Sequence, residues 1–133
     1  MKNAQRMAEN VRLFDEIIKQ AGSKTVLYMT WTRQHAPEAQ QTITDAYNRT
    51  GKAVGAIVVP VGSAWQRFLA KHDRPLLYDR DQSHPSLAGS YFAACVFLAT
   101  LLKINPVGIA AGGKGLDEAD RKLLQSAALK QRR

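Results

Sequence analysis

A carboxylate and an imidazole lie three residues apart in the polar segment that precedes the most apolar part of the chain. They are Asp81 and His84, and Ser86 follows at the start of a predicted helix. This spacing fits one tight turn, in which the carboxylate accepts a hydrogen bond from Nδ1–H and leaves Nε2 free as a base. By itself this spacing is a weak signal for general-base chemistry on a hydroxyl nucleophile. Spacing alone favours a hydrogen bond that only stabilises the loop.

Asp79 adds a further oxygen ligand beside this pair, so a metal site is another alternative for the loop. Metal sites usually gather three or four ligands, and the sequence places no further histidine or cysteine nearby. We therefore predict neither a metal nor another cofactor.

Two short apolar runs, rich in residues that favour β-strands, are the elements that must position this loop. They are residues 25–31 and residues 53–59, and a helix predicted over residues 37–50 connects them. Apolar runs of this kind are typical of strands covered on both faces, and a helical connection implies a parallel pair. We expect a layered α/β fold in a single domain that spans residues 1–133.

Local signals predict the remaining helices. Apolar residues at helical spacing predict an amphipathic helix over residues 3–20, and residues 87–102 read as a helix that is apolar nearly all round. A short helix to about residue 71 and a last helix after residue 117 complete the set. The residues expected to begin or end helices are Gly22, Gly51, Ser63 with Gln66 in a capping box, Ser86 and Asp117.

Composition limits the partners of the chain. The formal charge is +8, but the only tight basic cluster is residues 130–133, and no zinc spacing or basic aromatic motif is present, so we predict no nucleic-acid binding. The single cysteine, Cys95, reads as a small buried hydrophobic residue. The N-terminus lacks the pattern of a signal peptide, and residues 91–102 are too short to span a bilayer. We expect no membrane association and, for the chain as given, a cytoplasmic location.

The run Asp81-x-x-His84-Pro85-Ser86-x-x-Gly89-x-Tyr91 resembles the last conserved block of the SGNH (GDSL-type) hydrolases. Residues 28–31 resemble the fourth strand of that family, and residues 58–65 resemble the fifth strand and the loop that follows. The resemblance covers residues 14–124. It implies a flavodoxin-like three-layer α/β/α sandwich that hydrolyses esters, often acyl groups on carbohydrate or lipid. His84 would be the general base and Asp81 its orienting carboxylate.

Other blocks of the family are absent from this sequence. The Gly-Asp-Ser turn, the glycine of the second block and the Gly-x-Asn-Asp block are missing, and no serine stands in a Gly-x-Ser-x-Gly elbow. We therefore expect the C-terminal portion of an SGNH-type hydrolase, an incomplete sandwich with two or three parallel strands that is inactive as an isolated chain. The complete enzyme would act on a small-molecule or carbohydrate ester, and its leader, if it is exported, would lie in the missing part.

The rival interpretation is a non-catalytic remnant that binds a partner through an open sheet edge. An open edge along residues 25–31 would also favour self-association of the chain.

Three residues are candidates for the substrate pocket. Trp31 ends the first predicted strand and Arg33 follows it, and Trp65 follows the second strand. Ligands of open parallel sheets bind beyond the carboxyl ends of the strands, so these side chains could line the pocket mouth beside His84. The alternatives are that both tryptophans pack between sheet and helices and that Arg33 is a solvated loop residue.

Overall fold

The computed structural model describes residues 3–130 of the chain. It contains five α-helices, two β-strands and one turn of 3₁₀-helix. In chain order these are α1 (Ala4–Gln20), β1 (Val26–Tyr28), the 3₁₀ turn (Pro37–Ala39), α2 (Gln40–Val54), β2 (Ile57–Val59), α3 (Val61–Leu69), α4 (Leu87–Thr100) and α5 (Glu118–Leu129).

The two strands form a parallel sheet. Val26 lies opposite Ile57 and Tyr28 opposite Val59, and α2 connects the two strands. The prediction of an α/β fold with two or three parallel strands is confirmed as far as the strand pair and its helices are concerned. Both strands are shorter than predicted, because residues 53 and 54 belong to α2 and the chain leaves the sheet after Tyr28.

Helices cover both faces of the sheet. On one face, α2 approaches so closely that a Cβ on Gly51 would lie 2.4 Å from Cγ2 of Val58. On the other face, the ring of Phe97 in α4 meets the ring of Tyr28 edge-on, with centroids 4.9 Å apart. Successive side chains of a strand point to opposite faces, so the sheet separates α2 from α4.

The hydrophobic core lies where α4 packs against β2, α3 and α5. Core members that are at most 1% exposed include Trp65, Phe92, Leu77, Leu124, Val59 and Val96. Full burial of one such aliphatic or phenyl side chain stabilises the fold by roughly 1.5–3 kcal/mol. Cys95 is buried against this core, as predicted, and burial raises the pKa of its thiol.

The prediction that Gly51 ends the second helix is wrong. Gly51 lies inside α2 and is buried, and the helix continues to Val54 with Gly55 as its left-handed cap at φ 69°. Glycine stands at position 51 because a side chain there would collide with Val58 of β2. The residue type therefore reports a close helix–strand approach rather than a helix end.

The predicted capping box at Ser63 and Gln66 is also wrong. Helix α3 begins at Val61, three residues before the start that a cap at Ser63 predicts, and no side chain caps it. Ser63 lies within the helix, where its hydroxyl donates to the carbonyl of Pro60 at 3.2 Å. The start of the helix is set by tertiary structure, because the N–H of Gly62 donates to the carbonyl of Met29 at 2.9 Å.

The other helix signals are confirmed. Gly22 adopts the left-handed conformation at φ 76° after α1. The side chain of Ser86 caps α4 by accepting from Gly89 N–H at 3.1 Å, and Asp117 caps α5 by accepting from Asp120 N–H at 2.7 Å. Helix α4 ends at Thr100, slightly before the predicted residue 102. None of the helices within residues 3–130 is long and apolar enough to cross a bilayer.

Helix α1 forms as predicted, but its apolar face is only partly covered. Phe14 is 65% exposed and Ile17 is 64% exposed. The one buried residue of this helix is instead Asp15, which accepts a hydrogen bond from the hydroxyl of Thr25 at 2.7 Å and pairs with Lys19. This polar contact fixes α1 against the segment that leads into β1.

Candidate functional site

Asp81 and His84 form the predicted pair. His84 Nδ1 and Asp81 Oδ2 are in direct hydrogen-bond contact. The other carboxylate oxygen, Oδ1, accepts from the backbone N–H of His84 at 2.9 Å and of Ser83 at 3.0 Å. The carboxylate is therefore held from both sides, and it orients the ring so that Nε2 points away from the pair.

The backbone between the two residues makes this geometry possible. Gln82 adopts a left-handed conformation at φ 60°, which non-glycine residues rarely adopt, and its N–H donates to the carbonyl of Asp79 at 3.0 Å. The turn brings the N–H groups of the next two residues toward the carboxylate of Asp81. Side chains of this short acidic type commonly accept such bonds from residues two and three positions on.

A small hairpin closes the base of the loop. The N–H of Asp79 donates to the carbonyl of His84 at 2.8 Å, and the N–H of Ser86 donates to the carbonyl of Leu77 at 2.8 Å. The hydroxyl of Ser86 adds a bond of 2.6 Å to the carbonyl of Leu76 while it caps α4. The start of α4 therefore fixes one end of the loop that carries the pair.

Three further bonds attach this loop to the chain that follows β1. Trp31 Nε1 donates to the carbonyl of Ser83 at 2.9 Å, and the N–H of Gln34 donates to the carbonyl of Gln82 at 2.9 Å. The hydroxyl of Tyr78 donates to the carbonyl of Thr32 at 2.6 Å. Asp81 and His84 consequently lie beyond the carboxyl end of β1, the side of a parallel sheet where ligands usually bind.

The electrostatics of the pair favour charge on both partners. The imidazole of His84 and the N–H groups of Ser83 and His84 lower the pKa of Asp81 from 3.8 to about 2. Asp81, and to a smaller degree Asp79, raise the pKa of His84 above its usual 6.5. A histidine arranged in this way is a stronger base than a free imidazole and has a fixed tautomer.

The pair is open to solvent. The side chain of His84 is 78% exposed and that of Asp81 is 50% exposed. Two cavities reach the residues that support the loop, one of about 290 Å³ lined by Thr32, Trp65 and Tyr78, and one of about 490 Å³ lined by His72, Asp79 and Arg80. Neither cavity is lined by Asp81 or His84. Within residues 3–130, the ring of His84 therefore does not line a pocket.

The three pocket candidates lie in different environments. The rings of Trp31 and Trp65 stack with centroids 4.0 Å apart, but Trp65 is 1% exposed and belongs to the core whereas Trp31 is half-buried beside Ser83. The indole N–H of Trp65 is buried without a hydrogen-bond partner of good geometry among the described residues. Arg33 is exposed. Of the three, Trp31 is the one that the structure attaches to the loop of His84.

No serine among the described residues is arranged as a partner for His84. The hydroxyl of Ser63 is bonded inside α3, and the hydroxyl of Ser86 is engaged by the cap of α4. Ser83 shares the turn with His84, and its backbone serves the carboxylate of Asp81. Asp81 can therefore orient the ring of His84, and the ring can transfer a proton. The described residues hold no activated serine beside it.

Two residues that hold the site were not identified from the sequence. Tyr78 joins the hairpin to Thr32, and burial raises the pKa of its phenol. Gln40 is 2% exposed and accepts from the N–H of Thr32 at 2.8 Å while donating to the carbonyl of Thr30 at 3.3 Å. A glutamine at the start of a helix carries no distinctive signal, whereas a tyrosine inside a polar loop could have suggested an anchor.

The described part of the chain contains no group of three or more histidine, cysteine, aspartate or glutamate residues that could hold a metal ion. Comparison with models of known protein families, with curated proteins and with solved structures found no match for this chain. The resemblance to SGNH hydrolases therefore depends on the residues of the Asp81–Tyr91 block and of the two strands alone.

Proposed function

We propose that this chain supplies the acid–base part of a serine-type ester hydrolase. His84 is the general base, Asp81 orients it, and the serine nucleophile and the oxyanion donors come from residues outside the printed sequence. The observation that carries the proposal is the contact between Asp81 Oδ2 and His84 Nδ1 in a loop fixed beyond the carboxyl end of β1. In a Ser-His-Asp site the carboxylate has this orienting role.

The fold offers a second line of support. A parallel strand pair with a connecting helix on one face and α4 on the other is the unit from which doubly wound sheets are built. We propose that the unit belongs to a flavodoxin-like three-layer sandwich, in which further parallel strands continue the sheet beside β1. The Asp81–His84 loop would then face the carboxyl ends of those strands, where a nucleophile is expected.

The proposed reaction moves one proton through His84. A serine hydroxyl gives its proton to Nε2 as its oxygen bonds to the ester carbonyl carbon, and the ring then gives this proton to the departing alkoxide. Water repeats the cycle and releases the acid. Asp81 stays ionised throughout, because its pKa of about 2 lies far below neutral pH.

Two residues that follow β1 support a proposal for the substrate class. Trp31 is half-buried and bonds to the loop through its indole N–H, and Arg33, two residues later, is exposed. An aromatic face suits stacking on an apolar or sugar ring, and a guanidinium suits oxygen atoms. We propose a small-molecule or carbohydrate ester. Trp65 would hold the ring of Trp31 in place, because the two rings are stacked.

Hydrolysis of p-nitrophenyl acetate tests this function. The chain alone should not exceed the rate of free imidazole, since it lacks oxyanion donors that are worth on the order of 10²–10³ each. Addition of the N-terminal segment of a GDSL-type esterase, with its Gly-Asp-Ser turn, should give turnover. His84→Ala should abolish that turnover, and Asp81→Asn should lower it by up to about 10⁴.

His35→Ala is the matched control, because His35 is an exposed histidine outside the loop. Turnover that survives His84→Ala, or that falls equally with His35→Ala, would contradict the proposal.

A partner-binding module without catalysis is the second candidate. It is favoured by the exposure of Phe14 and Ile17 and by an edge of β1 that no strand within residues 3–130 pairs with. The two candidates differ in one outcome. The complex of such a module with its partner would hydrolyse no ester, with or without the His84→Ala substitution.

A further inference from the structure

Residues 103–116, which we call the strap, run back along α4 after that helix ends. The N–H of Ile104 donates to the carbonyl of Leu98 at 3.0 Å, near the last turn of α4. At the other end of the strap, a Cβ on Gly115 would lie 2.9 Å from Cδ2 of Leu87, the first residue of α4. The strap therefore follows the helix along its length in the opposite direction.

Gln125 of α5 fixes the middle of the strap. It is buried, and its Oε1 accepts from the N–H of Gly108 at 3.0 Å. Its Nε2 donates to the carbonyl of Ile109 at 3.0 Å and to the hydroxyl of Tyr91 in α4 at 2.8 Å. A buried amide with these bonds holds the strap, α4 and α5 in one arrangement. The space between the strap and α4 is consequently preformed.

A cavity of about 450 Å³ occupies this space. Its volume is within the range of small-molecule sites, roughly 300–1,000 Å³. The wall on the α4 side consists of residues three or four positions apart: Leu87, Ser90, Tyr91, Ala94, Cys95 and Leu98. These positions share one face of the helix over roughly 16 Å of its axis. A cavity that follows a helix in this way suits an extended ligand better than a compact ring system.

The lining of the cavity is mostly hydrocarbon. Of the described residues that line it, only Ser90, Tyr91 and Cys95 carry polar side-chain atoms, and the hydroxyl of Tyr91 is bonded to Gln125. On the strap side, Gly113 adopts φ 67°, and a Cβ there would lie 3.1 Å from Cε2 of Tyr91. Glycine thus lets the strap pass close to the tyrosine ring. The cavity therefore favours an apolar ligand.

Arg121 of α5 lies at the rim of this cavity. Gly113 lines the cavity, and a Cβ on it would lie 3.0 Å from Cδ of Arg121. Arg121 is half-buried and forms no ion pair with a residue in the range 3–130. A guanidinium is always charged and presents a planar fork of donors that matches a carboxylate. The rim thus offers a cation beside a hydrocarbon-lined space.

The three carboxylates at the start of α5 do not pair with Arg121. Asp117 caps the helix by accepting from the N–H of Asp120, and Glu118 pairs with Lys122 at 3.2 Å. Asp120 adjoins Arg121 in sequence, but neighbouring side chains of a helix point about 100° apart. Arg121 is therefore available to an anion from outside the described residues.

We propose that this cavity binds the anion of a single-chain fatty acid. Its hydrocarbon chain would lie along α4, and its carboxylate would meet Arg121 beside Gly113. Burial of the chain supplies most of the affinity, because each CH₂ group that leaves water contributes to it. The two parallel bonds between guanidinium and carboxylate select the anion. This site is separate from the proposed ester chemistry, since no residue of the Asp81–His84 loop lines it.

Other occupants fit the cavity less well. A neutral apolar molecule would leave Arg121 half-buried without an anion. A second copy of the chain carries the same formal charge of +8 and is repelled. A stable protein partner covers roughly 800 Å² of surface on each side, whereas this space is a recess between two elements.

Titration calorimetry with decanoate, below the concentration at which it forms micelles, tests the proposal. The wild-type chain should bind one decanoate, and butyrate should bind about 100-fold more weakly or worse, because it buries a shorter chain. Ala94→Trp should weaken decanoate binding about 10-fold or more, since the added ring occupies the cavity. Ala119→Trp is the matched control, because Ala119 is exposed on α5 and does not line the cavity. It should bind like the wild type.

Arg121→Gln tests the recognition of the carboxylate. This variant should bind decanoate about 10-fold more weakly, because a charge-assisted pair is lost, and should bind decanol as the wild type does. Lys122→Gln removes one positive charge from the next position of α5, where Lys122 pairs with Glu118. It should bind both ligands like the wild type.

Five results would overturn the inference. They are no binding of decanoate, binding that Ala94→Trp leaves unchanged, equal losses in Arg121→Gln and Lys122→Gln, equal affinity of the wild type for decanol and decanoate, and a homodimer that Ala94→Trp dissociates. The last result would make this face of α4 an interface between copies. Should Ala94→Trp fail to fold, Arg121→Gln and the comparison with butyrate decide the question.

Discussion

The strongest test of the local chemistry is the pKa of Asp81 after removal of the His84 ring. Three hydrogen bonds lower this pKa from 3.8 to about 2, and the largest contribution comes from the ring of His84. His84→Ala removes the ring but keeps the backbone N–H of residue 84 and that of Ser83. The pKa of Asp81 should therefore rise, but remain below 3.8.

Carbon-detected NMR of the Asp81 carboxylate measures this shift directly. Ser83→Ala is the matched control, because it keeps the backbone N–H that Oδ1 accepts and should leave the pKa at about 2. An unchanged pKa in His84→Ala would mean that the ring does not bond the carboxylate in solution. A wild-type pKa near 3.8 would refute the whole arrangement.

The same pair sets a pH window for the loop. The folded pKa of Asp81 is lowered, so its contribution to stability is present above 3.8 and is lost as pH falls toward about 2. The folded pKa of His84 is raised, so its contribution is present below 6.5 and is lost as pH rises through the folded value. The loop should be held most firmly between pH 3.8 and 6.5.

Three further outcomes are expected. Gly62→Ala should lower the free energy of unfolding by about 2 kcal/mol or more, measured by urea denaturation, because its Cβ would lie 1.9 Å from the carbonyl oxygen of Thr30; an unchanged midpoint would contradict the close approach. Asp15→Asn should remove part of the acid sensitivity of folding, since Lys19 and Thr25 lower the pKa of Asp15 and its contribution is lost as pH falls below 3.8; identical acid unfolding curves would count against the contact. A fluorophosphonate probe should form no adduct with the isolated chain in mass spectrometry, and an adduct on Ser63 would show an activated serine that this account excludes.

The features that the sequence predicts correctly are those with local causes. Ser86 and Asp117 cap their helices because a short polar side chain can reach N–H groups three residues on. The spacing of Asp81 and His84 predicts their contact for the same reason.

The features that escape prediction depend on distant contacts. Gly51 resembles a helix end until Val58 is seen to pack against it. Ser63 resembles a cap, but the bond from Gly62 to Met29 starts the helix earlier. The attachment of the Asp81–His84 loop through Tyr78 to Thr32 crosses 46 positions of the chain, and no local pattern encodes it.

The tautomer of the His84 ring is the measurement that bears most directly on the central claim. A general base needs Nε2 unprotonated and available, which requires the proton of the neutral ring to reside on Nδ1, facing Asp81. Nitrogen-15 NMR of His84, recorded above its pKa, should show the Nδ1–H tautomer in the wild type and a loss of that preference in Asp81→Asn. A wild-type ring that carries its proton on Nε2 would contradict the assignment of His84 as the base.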